Sequence, residues 1–243
     1  MASTQVPQIF DRQAAAAKWA RARVRQAREG AASYLSVSIA EDMADRLDFM
    51  RFEAESPLVI GDVGGMLPPG KQALLGSFDE EVPGQFEAYD LIAHILGLGV
   101  VNDLPGALIH ARNSVREGGL FMAGLPGAGS LPALRQIALE ADGERPAARM
   151  HPLVDNRAGT ALLERAGFSR QVVDSYPLKV RFSSFGQLIS DLRDHGLTRS
   201  LTSPVPPLSR EWLARAEDVF DTMRDDDGKV TETFEILVLT GWR

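Results

Sequence analysis

The chain alternates short apolar runs with segments whose apolar residues recur every three or four positions, a pattern typical of an α/β protein. Apolar runs or strict alternation predict strands at 56–62, 72–78, 89–96, 120–124, 168–182 and 230–240. Helical spacing predicts helices at 38–50, 104–116, 130–140, 155–167, 184–195 and 209–224. Capping by Asp155 and a stop at Gly167 support one of them, and Gly118-Gly119 is expected to end another.

The first thirty residues differ from the rest because they are rich in alanine and arginine. They predict an exposed helix over 11–30, so residues 1–50 are expected to form an N-terminal helical segment before an α/β domain at 51–243. We favour a solvated helix over a docking surface for an acidic protein or carrier, and both interpretations stay open. The basic residues concerned are Arg12, Lys18, Arg21, Arg23, Arg25 and Arg28.

Composition narrows the functional classes. A chain of 243 residues that is 44% hydrophobic can bury one sizeable core, and a net charge of −7 argues against general nucleic-acid binding. The longest apolar stretch, Leu91 to Val101, falls short of the roughly 18 residues that span a bilayer. We therefore expect no membrane span and a cytoplasmic protein from a bacterium. The chain has no cysteine, and its four histidines lack metal-ligand spacing, so no metal site is predicted.

A strand that runs into a glycine-rich turn is the most informative motif. Leu58 to Gly65 reads Leu-Val-Ile-Gly-Asp-Val-Gly-Gly, which indicates a nucleotide-binding turn with Gly61, Asp62, Gly64 and Gly65 as candidate cofactor contacts. The following Pro68-Pro69-Gly70 is poor material for a helix interior. We expect the helix that normally follows such a turn to be missing.

Four further motifs resemble landmarks of one branch of the class I S-adenosylmethionine-dependent methyltransferases. They are Ile9-Phe10-Asp11-Arg12, Val101 to Leu108, Arg165-Ala166-Gly167-Phe168 and Gly241-Trp242-Arg243. This branch holds the carrier-protein methyltransferases of biotin synthesis and the mitochondrial complex I assembly factor that acts as an arginine hydroxylase. The resemblance implies a Rossmann-like seven-stranded sheet whose last strand is antiparallel.

The departures from that family concern the cofactor side. Val59 stands where the family has an acid, and Val63 replaces the middle glycine of the turn. Only 27 residues, from Asp62 to Ala88, precede the next apolar strand, whereas two helix–strand units need about 40. We therefore predict an α/β methyltransferase-like sheet truncated by at least one strand–helix unit.

Asp79 allows three interpretations. Its distance from Gly61 suits an acid that binds a cofactor ribose, and Asp79-Glu80-Glu81 also resembles the family's acidic loop beside the adenine. A solvated acidic turn is the third. Asn102 and Asp103 are better explained as a helix cap than as catalytic groups, and His94 is better explained as a hydrogen-bonded core histidine than as a ligand contact.

Two functions follow from these observations. We favour a methyltransferase-fold protein with an eroded site, in which S-adenosylmethionine binding is weak or lost, acting as a non-catalytic binding or assembly protein. The alternative is an active S-adenosylmethionine-dependent methyltransferase, or an arginine hydroxylase-like enzyme, that modifies a protein or carrier-bound substrate. The sequence identifies no catalytic residue for it.

Overall fold

The computed structural model describes residues 6–243 and contains seven α-helices and six strands in that range. The helices are α1 Arg12–Gln26, α2 Tyr34–Met50, α3 Leu104–Ser114, α4 Pro132–Asp142, α5 Asn156–Ala166, α6 Phe185–Asp194 and α7 Arg210–Thr222. The strands are β1 Pro57–Ile60, β2 Lys71–Ala73, β3 Tyr89–Ile95, β4 Val115–Pro126, β5 Ser169–Phe182 and β6 Val230–Trp242.

All six strands form one sheet in the order β2-β1-β3-β4-β6-β5. The first four are parallel, and β6 runs antiparallel to both β4 and β5. The antiparallel last strand is confirmed, and so is the truncation. Residues 61–88 contain no helix and only the three-residue strand β2.

Helices cover both faces of the sheet. One face packs against α2, α4, α6 and α7, and the other packs against α3 and α5. Leu35, Ile39 and Met43 of α2 are fully buried in the same core as Val59 and Leu91 of the sheet. The predicted N-terminal segment therefore contributes to this core, while the division at residue 50 stays a prediction.

Several predicted boundaries were wrong, and two of these errors have a local cause. Helix α2 begins at Tyr34, four residues before the predicted start. The predicted strand at 72–78 ends at Ala73, because Gly76 turns with φ +77° and lies against the backbone of α1. Helix α3 ends at Ser114 rather than at Gly118-Gly119, because Val115 already pairs with Tyr89 in the sheet.

Candidate functional site

The carboxyl ends of β1 and β3 lie side by side, with Ile60 paired to His94. Open α/β sheets bind ligands at this edge. The turn after β1 requires glycine at its first position, because Gly61 has φ +84° and a Cβ there would lie 2.6 Å from the carbonyl oxygen of Ile95. The local sequence thus brings the turn to the edge where a cofactor would bind.

The carboxylate of Asp62 closes this turn. Its Oδ1 accepts hydrogen bonds from the backbone N–H groups of Gly64 at 2.9 Å and Gly65 at 3.1 Å, and its Oδ2 accepts one from Leu67 at 3.2 Å. In a nucleotide-binding turn such N–H groups face an anionic ligand. Here the protein's own carboxylate accepts their hydrogen bonds.

Leu75 packs between the two glycine-containing turns at this edge. A Cβ on Gly61 would lie 3.1 Å from Leu75 Cγ, and a Cβ on Gly97, in the short 3₁₀ helix Gly97–Val100, would lie 2.6 Å from Leu75 Cδ2. Val63 is 54% exposed, so its branched side chain lies largely in solvent. Leu75, rather than Val63, occupies the space beside Gly61 and Gly97 at the ends of β1 and β3.

A buried ion pair joins α1 to the acidic loop. Glu80 Oε2 lies 2.6 Å from Arg12 Nη2, and Glu80 Oε1 lies 3.2 Å from His94 Nε2. Burial would raise the pKa of Glu80, but hydrogen bonds and charges from His94 and Arg12 together lower it below its ordinary value. His94 is therefore the hydrogen-bonded core histidine that the sequence favoured.

The neighbouring acids perform different tasks. Asp79 is mostly exposed, and its Oδ1 lies 3.3 Å from Arg12 Nη2. Glu81 Oε1 accepts hydrogen bonds from the backbone N–H groups of Asn102 and Asp103. Asp103 caps α3 by accepting from the Gly106 N–H at 3.0 Å, which confirms the cap interpretation.

Asn102 connects two of the sequence landmarks, Ile9–Arg12 and Val101–Leu108. Its Oδ1 accepts hydrogen bonds from the backbone N–H groups of Ile9 and Phe10, each at 2.8 Å. The other two landmarks also meet, because a Cβ on Gly241 would lie 2.8 Å from the side chain of Phe168. In this chain the shared motifs therefore make contacts that hold the fold together.

A cavity of about 330 Å³ lies between α1 and the acidic loop, near the lower end of the volume of small-molecule pockets, roughly 300–1,000 Å³. Its lining includes Arg12, Trp19, Phe78, Glu80 and Gly97. A second cavity of about 520 Å³ lies beside α4, against Gly129, Ser130, Arg135 and Leu139.

Four candidate residues share one turn: Gly61, Asp62, Gly64 and Gly65. The fifth candidate, Asp79, lies outside this turn and beside Arg12. Their cofactor role stays a prediction. Sequence reasoning missed Leu75, for which there was no signal, and the pairing of Arg12 with Glu80, for which the Ile9–Arg12 motif was the available signal.

Within residues 6–243 no group of three or more potential ligands could hold a metal ion. None of the helices there is long and apolar enough to cross a membrane.

The fold is the Rossmann-like fold of class I S-adenosylmethionine-dependent methyltransferases. A candidate methyltransferase from Bacillus halodurans superposes with a TM-score of 0.51 at 11% identity, covering 83% of this chain and 98% of that one. No protein-family model matches the chain.

The homologues include two groups of named proteins. The mitochondrial arginine-hydroxylase NDUFAF5 of Mus musculus is 31% identical over 170 residues, which cover 68% of this chain and 50% of that protein. Malonyl-[acyl-carrier protein] O-methyltransferase 1 of Coxiella burnetii is 25% identical over 228 residues, covering 82% of this chain and 78% of that protein. The chain is a methyltransferase-fold relative of both, and it spans about half the length of the arginine-hydroxylase relatives it matches.

Proposed function

We propose that this protein keeps the methyltransferase fold with an eroded S-adenosylmethionine site and acts as a non-catalytic binding or assembly protein. One observation carries the proposal. The carboxylate of Asp62 accepts hydrogen bonds from three backbone N–H groups of the turn that would otherwise contact the cofactor. An anionic cofactor group would have to displace a negative charge that is covalently part of the turn.

Three other features support the loss of cofactor binding. Leu75 occupies the space beside Gly61, and Val59 puts a fully buried apolar side chain where the family has an acid. Residues 61–88 contain no helix whose N-terminus could face a ligand. Together these features support an S-adenosylmethionine site whose binding is weak or lost.

The second candidate function is an active methyltransferase or arginine hydroxylase-like enzyme acting on a protein or carrier-bound substrate. The names of the relatives and the cavity between α1 and the acidic loop favour it. An enzyme of this kind would need a cofactor contact other than this turn, and Asp79, which is mostly exposed, is the candidate. The two candidate functions differ in whether the protein binds S-adenosylmethionine, so cofactor binding is tested separately from partner binding.

Calorimetric titration of S-adenosylmethionine into the purified chain tests the proposal. Each lost charge-assisted hydrogen bond costs about 1.5–3 kcal/mol, or roughly one to two decades of affinity, so several losses move binding out of the micromolar range. We expect no micromolar binding by the wild type or by Val63→Gly, because Asp62 and Leu75 are unchanged in that variant. Micromolar binding by the wild type would overturn the eroded-site proposal and favour the enzyme.

The proposed partner of the non-catalytic protein is an acidic protein or carrier. The basic residues of α1 support this partner. The structure shows which of them contact the rest of the protein and which are exposed. A cytoplasmic location in a bacterium stays a prediction.

A further inference from the structure

The basic residues of α1 and of the turn that follows it divide into two sets with different surroundings. Three of them anchor the helix. Arg12 pairs with Glu80, Arg23 Nη1 donates to the carbonyl oxygen of Leu75 at 2.6 Å, and Arg25 Nε lies 2.5 Å from Asp194 Oδ1. These side chains are used to hold α1 against the domain.

The second set lies on the solvent side of the helix. Arg21 and Arg28 are exposed, and Val24 between them is 68% exposed. Arg21 and Val24 are three positions apart and share one helical face. Arg28 lies in the turn two residues beyond the end of α1, so the strip runs along the helix and into that turn. Among the residues that the structure describes, neither arginine makes an ion pair.

The strip continues onto the loop between α6 and α7 through Lys18. Lys18 Nζ lies 3.3 Å from both the Thr198 carbonyl oxygen and Ser200 Oγ, which flank Arg199. Burial lowers the pKa of Lys18, and the positive charges of Arg21 and Arg199 lower it further. Lys18 and Arg199 also lack a carboxylate partner within the described residues. Lys18 thus lies close to two other cations, Arg21 and Arg199, and Asp11 is the neighbouring acid that opposes their effect.

We infer that this basic face, defined as Lys18, Arg21, Val24, Arg28 and Arg199, docks an acidic segment of a partner protein. The inference rests on the proposed binding function and assigns it a surface. Charge complementarity is the reason. The face is positive on a chain of net charge −7, and an acidic segment would relieve the repulsion among its cations.

The dimensions favour a short protein segment over a nucleic acid. From Lys18 to Gln26, where α1 ends, the helical part of the strip is about 12 Å long at 1.5 Å per residue. The exposed Val24 on it suits an apolar side chain. A long polyanion would extend beyond the strip onto a chain whose net charge is −7. A partner segment with acids on both sides of one apolar residue matches the strip.

The test measures anisotropy of a fluorescein-labelled peptide in which glutamates flank a central leucine. We expect Arg21→Gln/Arg28→Gln to weaken binding about three- to tenfold at low salt, since exposed ion pairs contribute modestly and are screened at high salt. The matched control is Arg157→Gln/Arg165→Gln, which removes two exposed arginines of α5 and the same total charge. It should bind like the wild type. Val24→Glu should weaken binding without touching the anchoring arginines.

Three outcomes would overturn the inference. They are equal losses in the two double variants, unchanged binding by Arg21→Gln/Arg28→Gln, and tighter binding of duplex DNA or phosphatidylserine vesicles than of the peptide at equal salt. Each is independent of the S-adenosylmethionine titration. The docking surface can therefore fail while the eroded-site proposal stands, and the reverse also holds.

Discussion

The two edges of the sheet are built in different ways. At one edge β1 and β2 have four and three residues, and a loop of ten residues joins them without a helix. At the other edge β6 and β5 have 13 and 14 residues, paired from Val230 with Phe182 to Trp242 with Ser169. The long edge is held by a long backbone ladder that is uninterrupted from Val172 to Phe182. The short edge has much shorter ladders, although β1 is buried along its whole length.

Polar side chains take the place of the ladder at the short edge. Asp62 bonds the turn, Glu80 bonds Arg12 and His94, and Asp90 accepts hydrogen bonds from the N–H groups of Glu55 and Ser56. Each of these bonds contributes about 0.5–3 kcal/mol. The comparison indicates that the edge that carries the candidate site relies on a few carboxylates as well as on its short ladders, whereas the opposite edge relies on long ladders.

The largest effect is expected in the core of the long edge. Phe234→Ala in β6 should lower the free energy of unfolding by about 3–5 kcal/mol, because this fully buried ring would leave a cavity. Leu74→Ala, next to β2 and 55% exposed, should change it by less than about 0.5 kcal/mol. Denaturant titration measures both, and similar losses would refute the contrast between the edges.

The next largest effect is a pH dependence of the free energy of unfolding, caused by a histidine near the long edge. His195 is buried against Tyr34, which also packs against Phe234, and burial lowers the pKa of His195 to about 4 although Asp194 opposes the shift. Since the unfolded histidine has a pKa near 6.5, the unfolded state binds more protons between those values. Stability is therefore complete above about pH 6.5 and is lost as the pH falls toward 4, by about 3 kcal/mol.

Unfolding experiments on wild type and His195→Gln at pH 7, 5.5 and 4.5 isolate this contribution. The stability difference between the two proteins should shrink as the pH falls. A constant difference would mean that His195 does not titrate with folding.

A smaller effect is expected for the ion pair of the short edge. Glu80→Gln should cost about 2 kcal/mol, because Arg12 and His94 lose a charged acceptor. The pKa of Glu80 is lowered in the folded state, so its contribution is present above its ordinary pKa of 4.5 and is lost as the pH falls below it. Glu87→Gln, whose pair with Arg243 is half exposed, is the control and should cost less. Equal thermal shifts in the two variants would contradict a special role for Glu80.

The smallest effect concerns the turn itself. Asp62→Ala should cost only about 1 kcal/mol, since solvent can replace the lost acceptor. Amide hydrogen exchange should speed up at Gly64, Gly65 and Leu67 and stay unchanged along β6. Protection retained at those three amides would show that another group, rather than Asp62, satisfies them.

Much of the fold followed from the sequence alone. The helix at 156–166 was predicted because Asp155 supplies a cap and Gly167 adopts the left-handed conformation that ends it. The truncation followed from counting the residues between Asp62 and Ala88, and the alternating pattern placed β6. These features are local, or depend on chain length, so the pattern of residue types determines them.

The arrangement of the candidate site depended on tertiary contacts. Arg12 and Glu80 are 68 positions apart, and the Ile9–Arg12 motif by itself does not name Glu80 as the partner. Leu75 was expected to lie in a strand, but the packing of Gly76 against α1 turns the chain and places Leu75 between Gly61 and Gly97. The division of the α1 arginines into anchors and exposed cations also depends on partners contributed by distant segments. Residue types and spacing specify which elements form, but side chains from distant segments meet only after those elements pack.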